Sequence, residues 1–438
     1  MITKLNFTDR TIKSYAIRKL TPKECFRLMG VRDNVIGTMQ SSNAQAAERL
    51  PDWKGMGKPE DMAISASQQY KQAGNSIVVD VLAHIYEQLF YPAPPKPRPG
   101  EQLTLFDDLE DSLPALPPTA ADKNEEKIFL TTFSGYDSQL MAADVLREWH
   151  PNFRWTCKGW SDIDKYACQM HNLVFPQFAD CALGDITKID WHAVKDSLKG
   201  REVDLFTYSS PCQDISQAGK QMGLQEGSDT RSALLWRVAD AVEVLRPKYL
   251  LQENVAALVS QKFMPDFQKW LDKLSSLGYV SRWARLNAKN YGVPQNRDRV
   301  FCLSMRRDVA FDYQFPEPFE LLTRLEDVLE EEVSDRYFLK DDAVSKFLKA
   351  NDSDNALFIQ FALPPTHEAA MFLKTWLTLR MNTLNGWNME LDELHDCIEN
   401  ERDVLNSDFA SFSECHTFPC EGFEELFKEN MERNKDAN

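Results

Sequence analysis

Ser210-Pro211-Cys212-Gln213 follows an apolar run, Val203–Tyr208, that reads as a strand. A cysteine just past a strand end stands where an open α/β sheet gathers its ligands. Taken alone, a free cysteine is more often a buried structural thiol than a nucleophile. Two further groups change that reading. Gln252-Glu253-Asn254-Val255 closes a second apolar run and brings a carboxylate to the same edge. Gln295-Asn296-Arg297-Asp298-Arg299 leads into a third, and alternation along an extended chain puts Gln295, Arg297 and Arg299 on one side. A thiol, a carboxyl and paired guanidinium groups suit addition to an electron-poor ring. The sulfur adds to carbon while the carboxyl and guanidinium meet charge building on ring nitrogen and oxygen.

The elements that must position these groups alternate. Strands are expected at Ile128–Phe133, Trp155–Trp160, Val203–Tyr208, Tyr249–Gln252 and Arg299–Leu303. Helices are expected at Tyr136–Trp149, Asp164–Asn172, Ala233–Leu245 and Phe263–Leu277. Such alternation predicts an α/β fold with a doubly wound, mixed but mostly parallel sheet, ligands lying at the carboxyl ends of its strands. The first strand runs into Phe133-Ser134-Gly135, where a glycine lets a ligand approach backbone at a helix N-terminus. Upstream, Thr21-Pro22-Lys23-Glu24 has the signature of a helix start and Gly30 that of its end. An irregular Gly/Asn/Ser-rich stretch follows, and Asn75-Ser76 opens a second apolar helix, Ile77–Phe90. From Tyr91 to Lys127 the chain turns to Pro, Asp and Glu, the composition of an extended linker.

Bulk properties narrow the class. The chain has 438 residues, enough for two units and a linker. No apolar run approaches the roughly 18 residues that span a bilayer, and the first residues lack a signal peptide's apolar stretch, so a cytoplasmic protein is expected. The nine cysteines include no CxxC pair, which points to reduced thiols. Cys415-His416 with Cys420 lacks ligand spacing, and no metal is expected. The net charge of −17 is concentrated at one end: residues from Glu330 to Asn438 carry ten Lys and Arg against twenty-four Asp and Glu. The rest of the chain is near neutral and needs only a local basic cleft to act on a nucleic acid.

Four motifs in this order give the chain a family. It resembles the cytosine-C5 DNA methyltransferases, through Phe133-Ser134-Gly135, Pro211-Cys212-Gln213, Glu253-Asn254-Val255 and Gln295-Asn296-Arg297-Asp298-Arg299. The resemblance implies the Rossmann-like fold of S-adenosylmethionine-dependent methyltransferases and methylation of cytosine in double-stranded DNA. Cys212 would attack C6, Glu253 engage N3, and C5 take the methyl group before its proton is lost. Arg297 and Arg299 match the family's arginines, Arg299 being the one expected at cytosine O2. For S-adenosylmethionine the resemblance implies contacts from Phe133, Gly135, Asp162 with Ile163, Asp185 with Ile186 in Gly184-Asp185-Ile186-Thr187, and Asn75 with Ser76. The loop after Cys212 would close over DNA around a turned-out base, with Gln213, Ser216, Gln217 and Gln295 toward the DNA and Gln217 near the vacated position. One position departs from the pattern: the second glycine of the cofactor loop is here Asp137.

The order of the motifs is also unusual. Leu20–Glu24 and Tyr70–Ser76 resemble motifs IX and X, which normally end these enzymes and here come first, as in a circular permutation. The expected organisation is residues 1–90 carrying these motifs and packing on the catalytic domain, 91–127 as linker, 128–329 as catalytic and cofactor-binding domain, and 330–438 as an acidic helical segment. That last segment, with Met371, Phe372, Trp376 and Leu379 in one apolar stripe, is a poor phosphate binder. Degenerate recognition, an interaction surface or a separate recognition subunit is therefore expected. Gln102-Leu103-Thr104-Leu105-Phe106 resembles the peptide by which bacterial DNA enzymes dock on the sliding clamp. A bacterial cytoplasm or a phage-infected cell is the expected location. Methylation of tRNA, and a catalytically silent partner subunit, are the alternatives that the motifs leave open.

Overall fold

The structure, a computed structural model, describes residues 2–6, 11–15, 17–40, 64–92, 125–211, 231–340, 356–360 and most of 363–435. Cys212, Gln213, Ser216, Gln217, the 102–106 peptide and nearly all of the expected linker lie outside the described residues. The chain divides into two compact units, Met1–Thr21 with Glu331–Asn438, and Pro22–Glu330. The chain opens with two strands of the first unit, β1 (Ile2–Asn6) and β2 (Thr11–Tyr15).

The larger unit begins with helices α1 (Pro22–Arg27), α2 (Asp33–Gln40), α3 (Ala66–Asn75) and α4 (Val79–Phe90). Then come β3 (Lys127–Thr132), α5 (Ser138–Trp149), β4 (Trp155–Ser161), α6 (Lys165–Val174), α7 (Trp191–Ser197) and β5 (Leu205–Tyr208). It continues through α8 (Arg237–Leu245), β6 (Tyr249–Val255), α9 (Met264–Ser276), β7 (Tyr279–Asn287) and β8 (Asp298–Arg306). The strand order is β4-β3-β5-β6-β8-β7. Pairs β3/β4, β3/β5 and β5/β6 are parallel, whereas β8 runs antiparallel to both β6 and β7. This is the mixed, mostly parallel sheet that the alternation predicts. Each of the six residues of β3 is buried, as a central strand covered on both faces requires.

Two cores flank the sheet. One joins α4 and α5 to Phe129 and Leu303; the other holds Phe206, Leu250, Trp270 and Leu274. Helix α4 belongs to the first because its apolar positions cover a broad face: Val81, Leu82, Ile85, Tyr86 and Leu89 are all buried. Tyr86 and Phe90 reach Phe129 of β3 at ring-centroid distances of 5.7 and 6.0 Å. Burying a side chain of this size stabilises by about 1.5–3 kcal/mol, so α4 is part of the larger unit's own core. Gly30, at φ 74°, ends the turn after α1; a Cβ there would press on the Asp80 carboxylate, and the left-handed backbone strains any larger residue.

In the smaller unit β1 pairs antiparallel with β2 on one side and with β9 (Ala356–Gln360) on the other. Helices α10 (His367–Thr383), α11 (Leu391–Asn400), α12 (Arg402–Cys415) and α13 (Phe423–Lys435) complete it. Its core is Phe372, Trp376, Leu377, Phe412 and Phe423, with Met371 buried and Leu379 partly so.

The structure departs from the sequence reading in several places. Residues 1–21 join the C-terminal segment rather than residues 22–90, through strand pairing over a long separation. That segment is mainly helical, as expected, and contributes strand β9 to the sheet that residues 1–21 begin. Helix α3 replaces an expected irregular stretch: Ser65 caps it by accepting from Gln68 N at 3.4 Å. Strand β7 was not anticipated, since its half-exposed face gives an edge strand no continuous apolar run.

Candidate active site

The cofactor-type crevice forms where β3 and β4 end. Backbone bends sharply after β3: Phe133, Gly135 and Asp137 all have positive φ (54°, 59° and 66°). Ser134 N donates to Ser161 O at 3.0 Å, and Gly135 N donates to Asp162 Oδ2 at 2.8 Å, so the loop is tied to the end of β4. Asp162 also accepts from Asp164 N at 2.8 Å. Burial pushes its carboxyl above the ordinary range, against the pull of those backbone donors. Ser161 Oγ donates to Gly184 O at 2.6 Å, which fixes Asp185 beside the same strand end. Asp185 accepts from the N–H and hydroxyl of Thr187 at 3.0 and 2.8 Å, and these hold its carboxyl below the usual value. Ile186 is buried, whereas Ile163 is 70% exposed at the crevice edge.

These residues fit an adenosyl cofactor. A Cβ at Gly135 or Gly184 would meet nothing within 4 Å, so the loop offers an open cradle of backbone. Asp162 keeps lone pairs for hydroxyls, and Ile163 offers an apolar face for a flat base. Among the described residues no group of His, Cys, Asp and Glu could hold a metal.

The second corner lies where β5 and β6 end. Glu253 is 8% exposed and sits within β6, two residues before its last, rather than beyond a strand end as the sequence suggested. Its carboxylate accepts from Ser209 Oγ at 3.1 Å and pairs with Arg299 Nε at 3.1 Å. Burial raises the Glu253 carboxyl despite the opposing charges of Arg299 and Arg297. Asn254 Nδ2 donates to Ser210 O at 3.2 Å, and its Oδ1 accepts from Val255 N at 2.9 Å. Ser209 and Asn254 thus fasten the chain that enters Pro211-Cys212. Neither was singled out as a site residue from the sequence, although both stand inside or beside the quoted motifs.

The trio Gln295, Arg297 and Arg299 does not act in one place. Arg299 faces Glu253. Arg297 Nη2 donates to Gly74 O at 2.9 Å and to Ser76 O at 2.6 Å, across the turn between α3 and α4. Gln295 Nε2 donates to Leu28 O at 3.3 Å. Two of the three residues expected at the reaction are therefore bonded to residues 22–90. Lys71 of α3 adds an ion pair to Asp164 at 2.6 Å, so this segment, with Asn75 and Ser76, is held at the crevice from two sides.

A doubly wound sheet with an open glycine-bearing loop at the ends of β3 and β4, and a buried carboxylate beside the chain that leads to Pro211, suits a methyltransferase. The model of the C-5 cytosine-specific DNA methylase family matches residues 2–91 and 147–388, more than half of the chain, and the chain belongs to that family. Among curated relatives, the type II methyltransferase M2.ScrFI of Lactococcus lactis subsp. cremoris is 46% identical over 162 residues, 37% of this chain and 43% of that protein. The orphan methyltransferase M.SssI of Spiroplasma monobiae is 47% identical over 108 residues, 24% of this chain and 28% of that protein. The chain thus spans less than half the length of these relatives. The S. pombe Dnmt2 methyltransferase structure covers 51% of this chain and 66% of its own, at 20% identity and a TM-score of 0.38.

Proposed function

We propose that the chain transfers a methyl group from S-adenosylmethionine to C5 of cytosine in DNA. The observation that carries this is the Glu253 carboxyl, buried between Ser209 and Arg299 at the strand ends from which Pro211-Cys212 departs. Phe133, Gly135, Asp162, Ile163, Asp185, Ile186, Asn75 and Ser76 would hold the cofactor, which supplies an electrophilic methyl group when bound. The Cys212 sulfur bonds to C6 of a turned-out cytosine, and the ring's electron pair moves toward N3. Glu253, whose carboxyl burial shifts toward its protonated form, would donate to N3 as charge builds there, and Arg299 meets charge at O2. C5, made nucleophilic by that addition, would accept the methyl group; a base would then take the C5 proton, N3 would return its proton to Glu253, and the electron pair left at C5 would re-form the C5–C6 double bond and expel the Cys212 thiolate. Arg297 acts by position, holding the α3–α4 turn against the crevice.

The support for a permuted order is that residues 22–90 carry the motif IX and X resemblance and pack in the catalytic unit's core. Double-stranded DNA is the substrate of this reading. The acidic smaller unit favours a recognition surface supplied in part by another subunit, and the 102–106 peptide a sliding-clamp partner. Loss of clamp pull-down on Leu105→Ala/Phe106→Ala would support that partner, and no binding by the intact chain would remove it.

The decisive experiment is bisulfite sequencing of DNA from cells expressing the chain or its Cys212→Ser variant. Methylation at a defined motif, absent in the variant, is expected. Unmodified DNA together with labelled methyl transfer to tRNA would move the substrate to RNA; no transfer to either would leave a silent subunit.

A further inference from the structure

Asp137 occupies a left-handed turn residue that glycine would fill without strain, and its side chain is fully buried. Its two oxygens do different work. Oδ1 accepts from Leu140 N at 3.2 Å and caps α5. Oδ2 accepts from Thr131 Oγ1 at 2.7 Å and lies 3.3 Å from Nε2 of His171, which is also fully buried. Neither ring nitrogen of His171 makes a hydrogen bond among the described residues, so the two side chains meet as close buried polar neighbours. Thr131 gives its single hydroxyl proton to Asp137, and Ser134 Oγ lies 2.8 Å from Thr131 Oγ1 and 3.2 Å from Ser161 O, the two acceptors open to its own proton. A chain of contacts therefore runs from His171 through Asp137 and Thr131 to Ser134, inside the cradle loop. His171 is held from its other side by Trp160, with ring centroids 3.9 Å apart and planes 20° from parallel.

Helix capping explains Oδ1 alone. It needs neither a second buried oxygen contact nor an imidazole on α6. Removing one member of such a pair leaves the other buried beside groups arranged for it, a costlier change than removing both. We infer that Asp137 and His171 are coupled positioning residues that set the shape of the Phe133–Gly135 cradle and thereby the affinity for the adenosyl cofactor. This rests on the methyltransferase reading above.

The test measures binding of S-adenosylhomocysteine by calorimetry, and thermal midpoints without ligand, on the full chain. The variants are Asp137→Gly, His171→Phe, their combination and the conservative Asp137→Asn. Each of the first two should weaken binding by about tenfold. The combination should be no weaker than either single variant, and Asp137→Asn should bind within about threefold of wild type. His171→Gln stands in if His171→Phe is not recovered folded. Lowered midpoints with unchanged affinity, or losses that multiply in the combination, overturn the inference while leaving the function intact. A wild-type chain that binds no S-adenosylhomocysteine removes both.

Discussion

At the residue scale the proposed chemistry turns on the Glu253 carboxyl, which burial shifts toward its protonated form. The Glu253 value lies above that of a free glutamate because burial disfavours its charge, so the native state holds this proton more tightly than the unfolded chain. Between the free and raised values the stability it contributes falls as pH rises, being fully present on the acid side. The same titration should govern turnover: as an acid toward N3, Glu253 loses its proton as pH climbs through the raised value, and kcat should decline there. Glu253→Gln, a permanent donor of lower acidity, should flatten that limb and lower kcat by roughly 10²–10⁴-fold in a pH–rate series. A limb that persists in the glutamine variant would assign the titration to another group. Arg297→Ala should cost about 1.5–3 kcal/mol by denaturant titration, because two backbone carbonyls lose a charged donor. Cofactor KM should rise more than kcat falls, since the arginine supports the turn carrying Asn75 and Ser76.

At the element scale, what could be read from sequence followed hydrophobic pattern. Strands β3 and β5 were legible because a buried parallel strand is a run of apolar residues, and α4 because its apolar face is broad. Strand β7 was hidden by its own edge position, where Arg282, Trp283 and Arg285 interrupt any pattern. Helix α3 was hidden by polar residues, its reason for existing being tertiary: Lys71 meets Asp164, and its C-terminal turn meets Arg297. The site divided in the same way. Glu253 and Arg299 could be named from motifs, but that Gln295 and Arg297 turn toward residues 22–90 depends on packing that no local pattern encodes. Ile85→Ala, in the fully buried face of α4, should cost about 2–5 kcal/mol in the transition of the catalytic unit. Unchanged stability would mean that residues 22–90 are an appendage to that core.

At the scale of the whole molecule the charge is partitioned between units. The region from Glu330 onward holds most of the net −17, and under the proposed function the phosphate contacts fall to the larger unit. Non-specific DNA affinity should then depend only shallowly on salt, with a log–log slope of about −0.9 for each phosphate neutralised. A steep slope in a filter-binding titration would place many cations where this reading allows few.

Strand β1 carries a consequence for synthesis. It is the middle strand of its sheet, and Ile2–Asn6 waits for Ala356–Gln360 before its second edge is covered. During translation the catalytic unit can emerge entire while that edge still offers unsatisfied backbone to any passing strand. A chain stopped after Glu330 would keep the edge bare indefinitely, and should accumulate as aggregate even though residues 22–330 retain their own core.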